Sequence, residues 1–291
     1  MENDMRYRFL RFPDGKAKAV TFSYDDGVPQ DVRLAEMFTR KGLKGTFNLN
    51  SDEMRGDAAL SREVVESVIF GGGHEVAVHG AMHRAPCFTK PVEGIKDVLD
   101  CRIELEEKYD RIIRGMAYPD AGVNRFQNGV DYDTVRDYLK DLDIAYARVL
   151  AGDNNAFNLP SDFYRWMPNA HHDNPKLLDW IDEFLAIENN KPGIYLGRRF
   201  PRLLYIWGHS YEFDQKNNWD RMELITDKLA DKDDIWYATN IEICDYIKAY
   251  HLLRTNAVGS IMYNPTQTKL WVDIDGELYV ITPGETVRIK A

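Results

Sequence analysis

The sequence predicts an α/β protein built as a distorted, TIM-like (β/α) barrel with a small antiparallel β appendage at its C-terminal end. Three observations carry this. Strand-length apolar runs alternate with helical patterns through most of the 291 residues. Strand followed by helix, repeated, implies parallel strands joined by crossover helices. Near residue 255 the alternation stops and short strand-like runs separated by turn residues take over. A flat doubly wound sheet is the second architecture this pattern allows.

Residues 17–24 read as the first strand, and 31–40 as a helix with Leu34, Met37 and Phe38 at i, i+3 and i+4. Residues 45–50 form the next strand candidate. Ser61 opens a helix carrying Val64, Val65, Val68 and Ile69, and 74–79 is strand-like again. A charged helix runs over 92–109. Further strands are expected at 114–118, 144–149 and 202–207, and helices at 219–229 and 241–250. Residues 260–263, 269–273, 278–281 and 286–289 make up the appendage. The domain reading is therefore a barrel over 1–254 and a β appendage over 255–291.

Composition is that of a globular chain, with 44% hydrophobic, 12% aromatic and 29% charged residues. A net charge of −10 argues against nucleic acid and anionic membranes as partners, since both need a basic face. No apolar stretch approaches the roughly 20 residues of a bilayer span. The first residues carry no apolar leader segment, which sets a cytoplasmic expectation. Cys87, Cys101 and Cys244 are odd in number and lack C-x-x-C spacing, so neither a disulfide framework nor a zinc knuckle is expected.

Three polar groups follow strand-like runs: Tyr24-Asp25-Asp26-Gly27, His79-Gly80-Ala81-Met82-His83 and Gly208-His209-Ser210. In a parallel α/β fold the C-terminal strand ends open on one face, so these distant residues can converge. Each motif has an ordinary explanation by itself: Asp-Asp-Gly is turn chemistry, and a lone histidine is more often structural. Their joint position at strand ends favours a site. His79 and His83, four apart, are expected on one side of a helical turn. With one carboxylate they make a three-ligand metal site that leaves positions open for water and substrate. Of two adjacent aspartates, one can ligate while its neighbour, turned by the bend at Gly27, serves as a base. A bound divalent ion lowers the pKa of its water from about 15.7 towards 7.

In this order, Asp-Asp-Gly, then Gly73-His74-Glu75 through His79 and His83, then a proline-containing strand end and Trp207-Gly208-His209, the chain resembles the polysaccharide deacetylase family. These are the NodB-homology enzymes, or carbohydrate esterase family 4, and the resemblance spans roughly residues 15–250. It implies a seven-stranded distorted barrel and a hydrolase acting on carbohydrate N-acetyl (or O-acetyl) groups, with metal-bound water as nucleophile. It implies Asp25 as catalytic base, Asp26, His79 and His83 as metal ligands, and His209 as general acid. Asp120 falls where the family donates a backbone N–H to the oxyanion, and Trp207 where it walls the acetyl pocket. Zinc suits two imidazoles and a carboxylate, although Co, Ni, Mn or Fe(II) is accepted by the same set.

Three departures stand out. Gly80 replaces the serine or threonine after the first metal histidine. Ala117 replaces an arginine that pairs with an aspartate and tunes the base. Arg165 stands where the family has a second aspartate before Trp166. Arg165 is the first candidate for the missing cation near Asp25 and Arg148 the competing one; a surface arginine stacked on Trp166 is the bland alternative. Tyr118, Trp166 and Trp207 are candidate faces for a sugar ring, and all three residue types are also common in cores. Two rival readings remain: a hydrolase of another amide, such as a small cyclic imide or ureide, and a carbohydrate-binding homologue without catalysis.

Overall fold

The computed structural model describes residues 6–150 and 153–290. Residues 1–5, where the leader reading begins, and residue 291 at the end of the predicted appendage lie outside them. The strands, in chain order, are β1 (Arg8–Arg11), β2 (Lys18–Asp25), β3 (Gly45–Leu49), β4 (Glu75–Val78), β5 (Gly115–Ala117), β6 (Tyr146–Arg148) and β7 (Ala170–His171). They continue with β8 (Arg202–Gly208), β9 (Ile235–Tyr237), β10 (Arg254–Thr255), β11 (Ile261–Tyr263), β12 (Leu270–Ile274), β13 (Glu277–Ile281) and β14 (Thr286–Arg288).

Seven strands run in the order β6-β5-β4-β3-β2-β8-β7, with β9 beside the first half of β2. Every pair in this sheet is parallel. The sheet curls back on itself just before β7. There the Trp166 N–H donates to the Ala147 carbonyl at 3.1 Å and its own carbonyl accepts from the Val149 N–H at 3.0 Å, beside β6. The result is the distorted seven-stranded (β/α) barrel that the alternation and the family resemblance predicted.

β2 is buried along all eight residues, which is why it reads as one apolar run rather than an alternating one. The helix Gln30–Arg40 turns Leu34, Ala35, Met37 and Phe38 into the core. Asp131 caps the helix Tyr132–Asp141, its side chain accepting from the Thr134 N–H at 2.8 Å. Thr239 and Glu242 form a reciprocal cap on the helix Asn240–His251. After Ser61 the predicted helix is a short α segment, Arg62–Val64, that widens into a π-helix, Val65–Phe70.

The antiparallel appendage is present as two three-stranded sheets, β10-β11-β14 and β1-β12-β13. Its second sheet includes β1, from the N-terminal part of the chain, paired with β12 from Arg8↔Ile274 to Arg11↔Trp271. Met262, Val272, Ile274, Ile281 and Ile289 form a small core of its own. Among the described residues no helix is long and apolar enough to cross a membrane.

Candidate active site

β2 ends in Asp25, and the chain then bends through Asp26 (φ 85°) and Gly27 (φ 64°). The bend defeats the usual alternation of neighbouring side chains. Both carboxylates approach His79 Nε2, Asp26 Oδ1 at 3.6 Å and Asp25 Oδ2 at 4.0 Å. Gly27 is needed there, because a Cβ would meet Leu49 Cδ2 at 2.8 Å on top of its left-handed φ.

His79 follows β4. Its Nδ1–H donates to the Ala117 carbonyl of β5 at 2.9 Å, which leaves the Nε2 lone pair aimed at the carboxylates. Burial lowers the pKa of this ring, so it stays neutral, as a metal ligand must be. His83 arrives by a loop and not by a helical turn, a correction to the spacing argument: Gly80 (φ 80°) and His83 (φ 52°) both adopt left-handed backbone. Asp97 accepts from the Met82 N–H at 2.6 Å and holds this loop in place. Its Oδ2 would lie 2.3 Å from a Cβ at position 80, which explains glycine in place of serine or threonine. His83 Nε2 is 3.6 Å from Asp26 Oδ1, and the two imidazole rings meet edge-on with centroids 4.8 Å apart.

One ligand-type atom each from Asp26, His79 and His83 therefore lies within 4.8 Å of the others. Ligands at 2.0–2.2 Å around a tetrahedral ion stand roughly 3.3–3.6 Å apart. The spacing and the donor set thus fit a divalent ion.

Asp25 is fully buried and held on both oxygens. Asn48, its register partner on β3, donates from Nδ2 to Oδ1 at 2.8 Å, and Arg148 Nη2 donates to Oδ2. Burial alone would raise the pKa of Asp25. The Arg148 guanidinium, helped by His209, overrides burial and holds it below the usual carboxylate range. Arg148 is itself wholly buried at the end of β6, stacked 4.6 Å from the Trp207 ring.

His209 follows β8 with Nε2 3.9 Å from Asp25 Oδ2, and its Nδ1–H donates to Glu212 Oε1 at 2.8 Å. Burial opposes its positive charge, but the Glu212 hydrogen bond and the charges of Asp25 and Asp26 outweigh burial and raise its pKa. Trp207 lies against His209 and His171, with ring centroids at 5.7 and 4.8 Å. Asp120 sits at the rim in left-handed backbone (φ 46°), with Oδ2 3.8 Å from His83 Nδ1.

Three expected residues stand elsewhere. Arg165 is exposed, stacked 4.8 Å over Tyr132 and bonded to the Val123 carbonyl, and Arg148 occupies the place beside Asp25. Trp166 is no sugar face: its ring is buried against Tyr146, Phe163 and Tyr205, because its backbone bridges β6. Tyr118 is likewise buried, its hydroxyl donating to the Tyr164 carbonyl at 2.9 Å. The sequence reading missed Glu212 and Asn48. An i, i+3 step from His209 pointed to the first, and the second needs the β2–β3 register.

Residues 13–147 match the family described as polysaccharide deacetylase. No curated protein matches the chain in sequence. Among solved structures the chain is similar to a Mycobacterium smegmatis protein described as a candidate polysaccharide deacetylase. The identity is 15% over 85% of this chain and 96% of that one, with a TM-score of 0.55, a likeness of fold. A family 4 carbohydrate esterase from Streptomyces lividans, in complex with acetate, is 12% identical over 74% of this chain and 88% of that one, with a TM-score of 0.45. A CE4-family pseudoenzyme from Bacillus anthracis is 14% identical over 81% and 68%, at 0.46. Motif order, barrel and family match point the same way: residues 13–147, a little under half of the chain, match the polysaccharide deacetylase family.

Proposed function

We propose that the protein is a metal-dependent hydrolase that removes acetyl groups, N-acetyl before O-acetyl, from a carbohydrate. The observation that carries this reading is the meeting of five side chains at the strand ends. Asp26, His79 and His83 offer three converging ligand atoms, and Asp25 and His209 flank them. Zinc suits the donor set, and Co, Ni, Mn or Fe(II) is also compatible. When bound, such an ion supplies a Lewis acid for the acetyl carbonyl and lowers the pKa of water.

The chain's own residues do the rest. Asp25, kept ionised by Arg148, takes a proton from the attacking water as general base. His209, kept protonated by Glu212, gives a proton to the leaving amine or alcohol. The Asp120 backbone N–H donates to the developing oxyanion. Trp207, fixed from behind by Arg148, walls the acetyl pocket. Arg148 and Glu212 act through Asp25 and His209 and are positioning residues. Retention of both proton-transfer groups favours catalysis over a binding-only role, and retention of all three ligands favours acetyl substrates over cyclic imides.

The test is acetate release from chito-oligosaccharides, acetylated xylan and small N-acetyl sugars, with zinc present and after chelation. Release that a chelator abolishes and zinc restores is expected. No release from any of them with metal present would overturn the reading.

A further inference from the structure

A second cluster of ligand-type side chains lies past His209. His171 ends β7, His172 and Asp173 follow, and Glu212 arrives from the short helix Tyr211–Gln215. One atom from each lies within 4.8 Å of the others. His172 Nε2 is 3.5 Å from Asp173 Oδ1 and 3.8 Å from Glu212 Oε2, close to the 3.6 Å separations in the Asp26 group. At these lengths His172 makes no hydrogen bond to either carboxylate.

His172 is the independent sign of a ligand. It is 0% exposed, stacked parallel on Tyr24 at 5.8 Å and against Phe213 at 4.3 Å. Neither of its ring nitrogens has a hydrogen-bond partner among the described residues. A buried imidazole left this way costs free energy that a ligand on Nε2 would offset. Burial, with the neighbouring His171, also lowers its pKa to about 3, so the ring is neutral and keeps a lone pair. The fold makes room for it, since a Cβ on Gly208 would sit 1.9 Å from His172 Nδ1.

The neighbours have different parts. His171 Nδ1 accepts from the Asp173 N–H at 3.2 Å, so its Nε2 carries the proton and points it at Glu212 Oε1, 3.3 Å away. It braces the carboxylate and does not ligate. Lys216, half exposed, donates to Asp173 Oδ2 and Glu212 Oε2. Its ammonium is the charge an incoming cation must compete with.

We propose that His172 Nε2, with one oxygen each from Asp173 and Glu212, forms a second divalent-cation site, distinct from Asp26, His79 and His83, with Lys216 as its built-in competitor. One imidazole and two carboxylates suit zinc, and also Mn or Fe(II).

Zinc binding to the whole protein, measured by equilibrium dialysis with elemental analysis, tests this. Wild type should take two equivalents, the second more weakly. The H79A/H83A protein should keep only the weaker one, which separates this site from the deacetylase reading. Adding H172Q should abolish that equivalent, and D173N, at a partly exposed position, should abolish it in a protein that stays folded even where the buried H172Q substitution impairs folding. K216M should tighten it at least tenfold. Saturation at one equivalent in wild type, no zinc in H79A/H83A, or a weak equivalent that survives both H172Q and D173N would overturn the site. An unchanged affinity in K216M would overturn the competition.

Discussion

Two buried arginine–aspartate groups in this molecule use the same chemistry and end differently. At the seam between β1 and β12, Arg11 donates to Asn190 (3.2 Å), to the Leu10 carbonyl (3.0 Å) and to Asp273 (3.0 Å). Arg199 grips the same oxygen, Asp273 Oδ2, through its Nε and Nη2. All three nitrogens of Arg11 have acceptors, and although burial lowers its pKa to about 10, it stays charged. At the candidate site, Arg148 reaches Asp25 through one nitrogen, and its Nε and Nη1 have no partner among the described residues. A completed network specifies and holds a fold. An incomplete one, next to a carboxylate that also faces two imidazoles, keeps polar capacity for chemistry.

The comparison can be broken most sharply at the carboxylates. Asp25→Asn should lower kcat by about 10²–10⁴-fold, the usual worth of a general base, while zinc content stays near wild type and Tm falls only modestly, because the asparagine oxygen can still accept from Arg148. Asp273→Ala should do the reverse. It leaves two arginines unpaired and should cost about 3–5 kcal/mol of stability, read by urea unfolding, with kcat per folded molecule unchanged. Equal effects of the two substitutions on both readouts would erase the distinction.

Smaller effects sharpen it. The lowered pKa of Asp25 contributes stability that is present above its unfolded value and is lost as pH falls through the folded one. Arg148→Met removes the main cause, so the acid limb of the kcat profile should move to higher pH. His209 is the opposite case. Its raised pKa contributes stability below the unfolded value that is lost as pH rises through the folded one. Glu212→Gln should therefore move the basic limb to lower pH and reduce kcat above neutrality. Arg165→Ala should change stability by no more than about 0.5 kcal/mol and leave kcat alone. A drop in kcat there would return Arg165 to the site.

The barrel was legible because its strands are buried on both faces and read as unbroken apolar runs, β2 above all. Of the short strands, β5 and β6 fall inside longer expected runs, whereas β7, of two residues, and β9, of three, went unread. Asp25, Asp26, His79, His83 and His209 could be gathered from sequence because each follows a strand. What surrounds them depends on register and chain path. Asn48 reaches Asp25 only because β3 is aligned against β2 in one way. The choice between Arg148 and Arg165 turned on the bridge at Trp166, which sends that ring inward and leaves its neighbour exposed. Aromatic residues at strand ends carry no mark of which side they face, so Tyr118 and Trp207 looked alike and lie in different surroundings.

The pairing of β1 with β12 also bears on how the chain comes together during synthesis. Arg11 and Asp273 are 262 residues apart, whereas all the parallel strands are complete by Tyr237. A ring of parallel strands can assemble while β1 still waits for its partner, and closure of so long a loop comes late. The earliest strand made is among the last to dock, and the buried charge it carries remains hydrated until then.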